Sequence, residues 1–169
     1  SRIDNWHFVF LRNLVNSINE IAEKYKVPVI YSTHPRTRKF IEKRKITFHP
    51  LVQNVKPLGF LDYVKLQANA LLVLSDSGTL TEESAILGFP GVLIRTSTER
   101  PEGLDAGTII VGGIKSRDVL AAAGLAIDIS KERQITKLPA DYDTIDVSTK
   151  VVKIIQSYVH IVNKTTWHI

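Results

Sequence analysis

Apolar residues recur at steps of three and four between Asn5 and Tyr25, at Phe8, Leu11, Leu14, Val15, Ile18, Ile21 and Ala22. One stripe on this period predicts an amphipathic helix laid on a core. The pattern then changes to a short β-branched run, Val27-Pro28-Val29-Ile30-Tyr31-Ser32, which predicts a buried strand. It ends at Thr33-His34-Pro35. A proline preceded by a polar residue signals a helix start, so a short helix is expected from Pro35 to about Arg44. Thr47-Phe48-His49-Pro50 follows as a short extended piece, and Phe60 to Asn69 as a helix after the turn Lys56-Pro57-Leu58-Gly59.

The second half alternates in the same way. Ala70-Leu71-Leu72-Val73-Leu74 predicts a strand and Thr79 to Leu87 a helix. Gly88-Phe89-Pro90 closes that helix, because glycine tolerates the left-handed cap and proline forbids continuation. Val92–Arg95 and Thr108–Val111 read as strands, and Ser116 caps a helix through Leu125. A last helix from about Asp146 to Val162 places Val151, Val152, Ile154, Ile155, Tyr158, Val159 and Val162 on its apolar side. Short strands alternating with helices imply an α/β domain whose sheet is mostly parallel. The chain opens directly into a helix, although βα units begin with a strand, so Ser1 is expected to be a cut end within a longer protein.

At 169 residues the simplest organisation is one domain over 1–169, large enough to bury a core. Hydrophobic residues at 44% and charged residues at 23% are ordinary for a globular protein. No apolar run approaches the roughly 20 residues a membrane span needs, and no signal peptide is recognised at the start. The absence of cysteine excludes disulfides and thiolate chemistry and fits a cytoplasmic protein. A net charge of +5 favours anionic partners without choosing among nucleotides, nucleic acids and acidic membranes.

Candidate chemistry concentrates where strands meet helices. In open α/β sheets, ligands bind beyond the carboxyl ends of the strands. Three polar segments are expected there: Thr33-His34-Pro35, Asp76-Ser77-Gly78-Thr79 and Thr96-Ser97-Thr98-Glu99-Arg100. A strand turning through Gly78 into a helix exposes backbone N–H groups at the positive end of the helix dipole, a ready phosphate site. Ser77 and Thr79 add hydroxyls, and Gly78 allows close approach. The same residues also fit ordinary capping, with Glu82 and Glu83 complementing the dipole, and spacing alone leaves both readings open.

Glu83 lies four residues after Thr79 on the same helix face, where a carboxylate can accept both hydroxyls of a ribose diol or stand as a plain helix-start glutamate. Arg95 and Arg100 flank the third segment; each suits a diphosphate, and each equally suits an ion pair with Glu99 or Glu102. His34 can act as acid, base or phosphate donor, although a lone strand-end histidine is usually structural. The histidines lack metal-like spacing, so no metal site is expected. The basic run Pro35 to Lys45 reads as a solvated helix face, since no nucleic-acid module surrounds it.

Taken together, the blocks Ser75-Asp76-Ser77-Gly78-Thr79 with Glu82-Glu83, Leu87-Gly88-Phe89-Pro90, Arg95 through Glu102, and Gly107-Thr108 resemble the non-hydrolysing UDP-N-acetylglucosamine 2-epimerase family. The opening Arg2-Ile3-Asp4-Asn5 is similar to that family's His-Arg-x-Glu-Asn segment. The likeness covers most of this chain but only the C-terminal half of a typical member. It implies a two-domain fold like the B-type glycosyltransferases, of which this chain would be the Rossmann-like, UDP-binding domain, its parallel sheet flanked by helices. By motif position, Ser77, Gly78 and Thr79 would bind the diphosphate, Glu83 the ribose hydroxyls and Arg100 the phosphates or sugar, with Tyr63 beside the uracil. Asp76, His34, Arg95 and Glu99 would line the cleft.

The family inverts C2 of a UDP-N-acetylhexosamine by eliminating UDP and adding it back to the opposite face, for capsule and cell-surface polysaccharide precursors. The carboxylates credited with acid–base work belong to the N-terminal domain, which this chain lacks. The family histidine falls at Ser1, leaving Arg2 as the residue here with a catalytic part. The resemblance therefore implies weak UDP binding and no epimerisation by this chain alone, no cofactor, and a homodimer for the full protein. Thr79, where many members carry a second glycine, and the Arg95–Arg100 wording are closer to a subgroup acting on 6-deoxy-N-acetyl-L-hexosamine nucleotides of the N-acetyl-L-fucosamine pathway. A UDP-sugar glycosyltransferase of similar fold would share the turn and the ribose carboxylate but not the Thr-Glu-Arg-Pro-Glu block. A nucleotide-responsive or nucleic-acid-binding module using Arg36 to Lys45 is the third possibility.

Overall fold

The computed structural model describes residues 2–132, 138–140 and 142–168, with side chains described from Phe8 onward. The elements run α1 (Arg2–Tyr25), β1 (Val29–Ser32), α2 (Pro35–Lys43), β2 (Val52–Val55), α3 (Phe60–Ala68), β3 (Val73–Ser75), α4 (Leu80–Leu87), β4 (Gly91–Leu93), α5 (Pro101–Asp105), β5 (Ile109–Val111), α6 (Ser116–Glu132) and α7 (Val147–Val162). A π-helical turn over Asn163–Trp167 continues α7. The α/β class holds, with every strand pair parallel and helices flanking the strands. The strands form two sheets, β1–β2 and β3–β4–β5.

The three-stranded sheet carries the core under the candidate site. β4 lies between β3 and β5 and is buried along its whole length. Its side chains alternate between faces, as a strand requires. Val92 packs with Ala122 and Ala126 of α6, whereas Leu93 packs with Leu80, Phe89 and Ile109. Leu80 is the first residue of α4, so the helix start is anchored in this core. Gly88 ends α4 at φ +74°, the left-handed cap expected of it. One turn before this cap, Ser84 Oγ lies 2.7 Å from the Phe89 carbonyl oxygen and 2.9 Å from that of Thr108, tying α4 to both neighbouring strand entries.

A second core forms where α1 meets α2 and β1. Leu11, Val15 and Ile41 are buried there with Tyr31, Phe40, Ile46 and Phe48 packed around them. The predicted stripe of α1 is the face it buries, since Leu11, Val15, Ile18, Ile21 and Ala22 are all buried. α1 also packs on α6, where Ser116 Oγ donates to Glu20 at 3.1 Å. It therefore touches both sheets' surroundings.

Several boundaries differ from expectation. The piece Thr47–Pro50 is a connection, and the strand is the next segment, Val52–Val55. Its polar centre, Gln53-Asn54, hides it from a periodicity search, but backbone pairing with Ile30 and Tyr31 holds it. β3 begins at Val73 because Ala70 N–H still bonds the Gln67 carbonyl at 3.1 Å, spending that residue on the end of α3. Pro101–Asp105 is a short helix with proline at its start, and α6 continues past Leu125 to Glu132. The predicted apolar side of α7 exists, yet none of its residues is buried. No helix among the described residues is long and apolar enough to cross a membrane.

Candidate functional site

In the three-stranded sheet, Asp76–Thr79 follow β3 and Arg95–Arg100 follow β4, so both segments lie at the carboxyl end of parallel strands. The turn is built by short-range bonds. Ser77 N–H donates to Ser75 Oγ at 3.0 Å and Thr79 N–H to Ser77 Oγ at 3.4 Å. The Ser77 and Thr79 hydroxyls lie 2.9 Å apart, both exposed. Leu80 and Thr81 N–H groups close on the Ser77 and Gly78 carbonyls at 3.2 and 3.3 Å. The helix start is thus less open than the sequence suggests, because a tight first turn engages donors expected to be unpaired. The Thr79, Leu80 and Thr81 bonds, at 3.4, 3.2 and 3.3 Å, sit at the long, weak end of the range. Among the described residues the Gly78 N–H has no partner.

Arg100 reaches back over this turn. A β-carbon at Gly78 would lie 3.4 Å from Arg100 Nη1. Glu82, in the first turn of α4, accepts from Arg100 Nε and holds the other edge of the guanidinium. That bond and the Glu82 charge raise the guanidinium further above its ordinary range. With Nε engaged, the Nη groups remain as the fork nearest the turn. Arg100 N–H bonds Thr98 Oγ1 at 3.2 Å, which fixes the loop that delivers it. Glu102, two residues on, accepts from the Tyr142 hydroxyl at 2.8 Å. Its carboxyl lies below the usual carboxylate range, first through its own backbone N–H and then through Tyr142.

Glu83 points to α3. Gln67 Nε2 donates to Glu83 Oε2 at 2.6 Å. Tyr63, one turn earlier on α3, is half-buried, and its phenol is pushed up by burial and then by the Glu83 charge. Tyr63 and Glu83 were singled out by sequence and are brought together. Gln67 was missed, although its spacing of four from Tyr63 marks it as the next position on that face.

Other candidates fall outside this group. Arg95 Nη1 pairs with Glu99 at 3.2 Å, the ion pair that was its structural alternative. His34 caps α2, its Nδ1 accepting from Arg36 N–H at 3.3 Å. Asp76 is exposed after β3, close enough to Tyr31 for its charge to act on that phenol. Arg2 opens α1, and its side chain lies outside the described residues. The basic run is partly absorbed by packing, with Arg44 stacked on Phe8 and Phe40 at 4.9 and 5.3 Å from the ring centres. A cavity of about 280 Å³ lies beside α2, lined by Thr33, Pro35, Arg38, Lys39, Glu42, Lys56 and Pro57, and does not include the turn. No group of three or more histidines and carboxylates among the described residues is placed to hold a metal ion.

The arrangement offers two exposed hydroxyls, one unpartnered amide and a braced guanidinium around one glycine, with a carboxylate one helical turn away. Donors around a glycine suit a phosphate group, and a carboxylate at that distance suits hydroxyls attached to it.

Known proteins show which family the chain resembles. The family model for UDP-N-acetylglucosamine 2-epimerase matches residues 3–156. A UDP-N-acetylglucosamine 2-epimerase of Methanococcus maripaludis is 39% identical over 118 residues, covering 68% of this chain and 32% of that protein. Among solved structures, the epimerase of Rickettsia bellii superposes with a TM-score of 0.79 at 40% identity, covering 94% of this chain and 44% of that one. The Methanocaldococcus jannaschii enzyme, solved in complex with UDP-GlcNAc and UDP, gives 0.76 at 30% identity, covering 88% and 41%. The chain thus spans from about a third to less than half of the length of these relatives. By sequence and by fold, it belongs to the UDP-N-acetylglucosamine 2-epimerase family.

Proposed function

We propose that this chain is the UDP-binding part of an isomerase that inverts C2 of a UDP-N-acetylhexosamine. The observation that carries the proposal is the convergence on one glycine of the Ser77 and Thr79 hydroxyls, the Gly78 N–H and the Arg100 guanidinium, with Glu83 one turn further along α4. The diphosphate sits at the turn, Glu83 accepts the ribose hydroxyls and Tyr63 lies beside the base. The complex of the Methanocaldococcus jannaschii relative with UDP supports a UDP site in the family.

In an elimination and re-addition mechanism, UDP is the leaving group and then the nucleophile. Negative charge grows on the diphosphate as the bond to C1 breaks, and donors fixed in advance stabilise it. Glu82 serves by holding Arg100 in place before the charge develops. Proton removal at C2 needs a base positioned over the sugar. Glu82 is engaged by Arg100, and Glu83 is read here as the ribose acceptor. The family resemblance implies that this base belongs to the N-terminal domain of such enzymes, and on that reading the 169-residue chain binds UDP without turning a UDP-sugar over.

Calorimetric titration with UDP, alongside a turnover assay on UDP-N-acetylglucosamine, tests the proposal. UDP binding that is lost in Arg100→Ala supports it; binding unaffected by that change removes the guanidinium from the site.

A further inference from the structure

We infer that Gln67 is a positioning residue that fixes the Glu83 carboxylate for a ribose diol, and so sets the preference for ribonucleotides. The inference rests on the ribose reading of Glu83 given above. Gln67 is only 3% exposed, and its Nε2 makes the one hydrogen bond that Glu83 receives from another side chain among the described residues. Its Oε1 is buried with no partner. An apolar residue of similar size would leave no orphan acceptor, so the amide adds a penalty to packing and a bond to Glu83.

The geometry explains what that bond does. An ionised carboxylate offers about four lone-pair sites on two oxygens. Gln67 occupies one on Oε2, leaving Oε1 and the rest of Oε2 for two adjacent hydroxyls. Without that anchor the terminal torsion of Glu83 turns freely, since such torsions are broad. Adjacent Glu82 is held by Arg100, so the two carboxylates are fixed by separate partners and directed to separate tasks.

The test compares UDP with its 2′,3′-dideoxyribose analogue by calorimetry on the wild-type chain, Gln67→Leu, Gln67→Met and Glu83→Ala. Removing the donor in either Gln67 variant is expected to reduce the preference for UDP about tenfold, with the analogue bound as before and the melting temperature near wild type. An unchanged preference in both Gln67 variants, with Glu83→Ala reducing it, overturns the positioning role and leaves the ribose reading intact. An unchanged preference in Glu83→Ala overturns both. Loss of the fold in both Gln67 variants would make the residue structural and overturn the inference as well.

Discussion

The Arg100 guanidinium lies against Gly78, with Nη1 3.4 Å from the point a β-carbon would occupy. A methyl group there makes ordinary contact with a flexible side chain, and the backbone is not in the left-handed region. Gly78→Ala should therefore fold with a melting temperature close to wild type. It should bind UDP more weakly, because the methyl fills the space in which a phosphate would meet the Gly78 N–H and Arg100. Thermal melts and UDP titration check the two halves of this expectation separately.

Arg100→Lys keeps the charge and removes the fork. A lysine ammonium cannot hold Glu82 at one edge and present two further nitrogens at the turn. UDP affinity should fall about tenfold, the effect of losing a charge-assisted pair of hydrogen bonds. Affinity equal to wild type would mean that charge alone suffices.

Gly103 is the residue on which the Arg100 loop rests. A β-carbon there would lie 1.8 Å from Thr81 Cγ2, and Thr81 is fully buried. The Gly103 carbonyl also accepts from Thr108 N–H and Thr108 Oγ1, each at 3.0 Å. Gly103→Ala should destabilise the chain by about 1–3 kcal/mol through overpacking, and displace α5 with the arginine before it. Urea unfolding measures the first effect and UDP affinity the second.

Tyr31 provides a pH signature of the fold. Its phenol is pushed up to about 12, first by burial and then by the Asp76 charge. Below about pH 10 the phenol is protonated in both folded and unfolded chains, and its contribution is fully present. As pH rises from 10 to 12 the unfolded chain releases the proton first, so the folded state binds more protons and stability falls. The two-unit rise corresponds to roughly 2–3 kcal/mol across that window. Urea midpoints at pH 9 and pH 11.5 should fall further in the wild type than in Tyr31→Phe.

The elements that build the site were legible because their signals are local. The apolar run into Ser75–Thr79 and the Gly88-Phe89-Pro90 stop delimit β3 and α4 to within a few residues. Glu83 and Tyr63 were found as separate positions. What joins them was not legible, because Gln67 reaches Glu83 only once α3 lies beside α4, a contact with no signature along the chain. The same holds for Glu82, read as a dipole complement and found holding Arg100 from eighteen residues away. β2 escaped because its Gln53-Asn54 centre gains its place from pairing with β1 and not from burial. The exposed apolar face of α7 shows the reverse limit, since periodicity reports a face and not what covers it.

That the turn before α4 cradles a diphosphate is best examined by titrating a nitrogen-labelled sample with UDP and following backbone amides together with the Gln67 and Arg100 side-chain signals. The expected result is saturable shifts at Gly78, Thr79, Gln67 Nε2 and Arg100 Nε, with little change along α2. Shifts confined to Arg36–Lys45, or a response to single-stranded oligonucleotide with none to UDP, would contradict it.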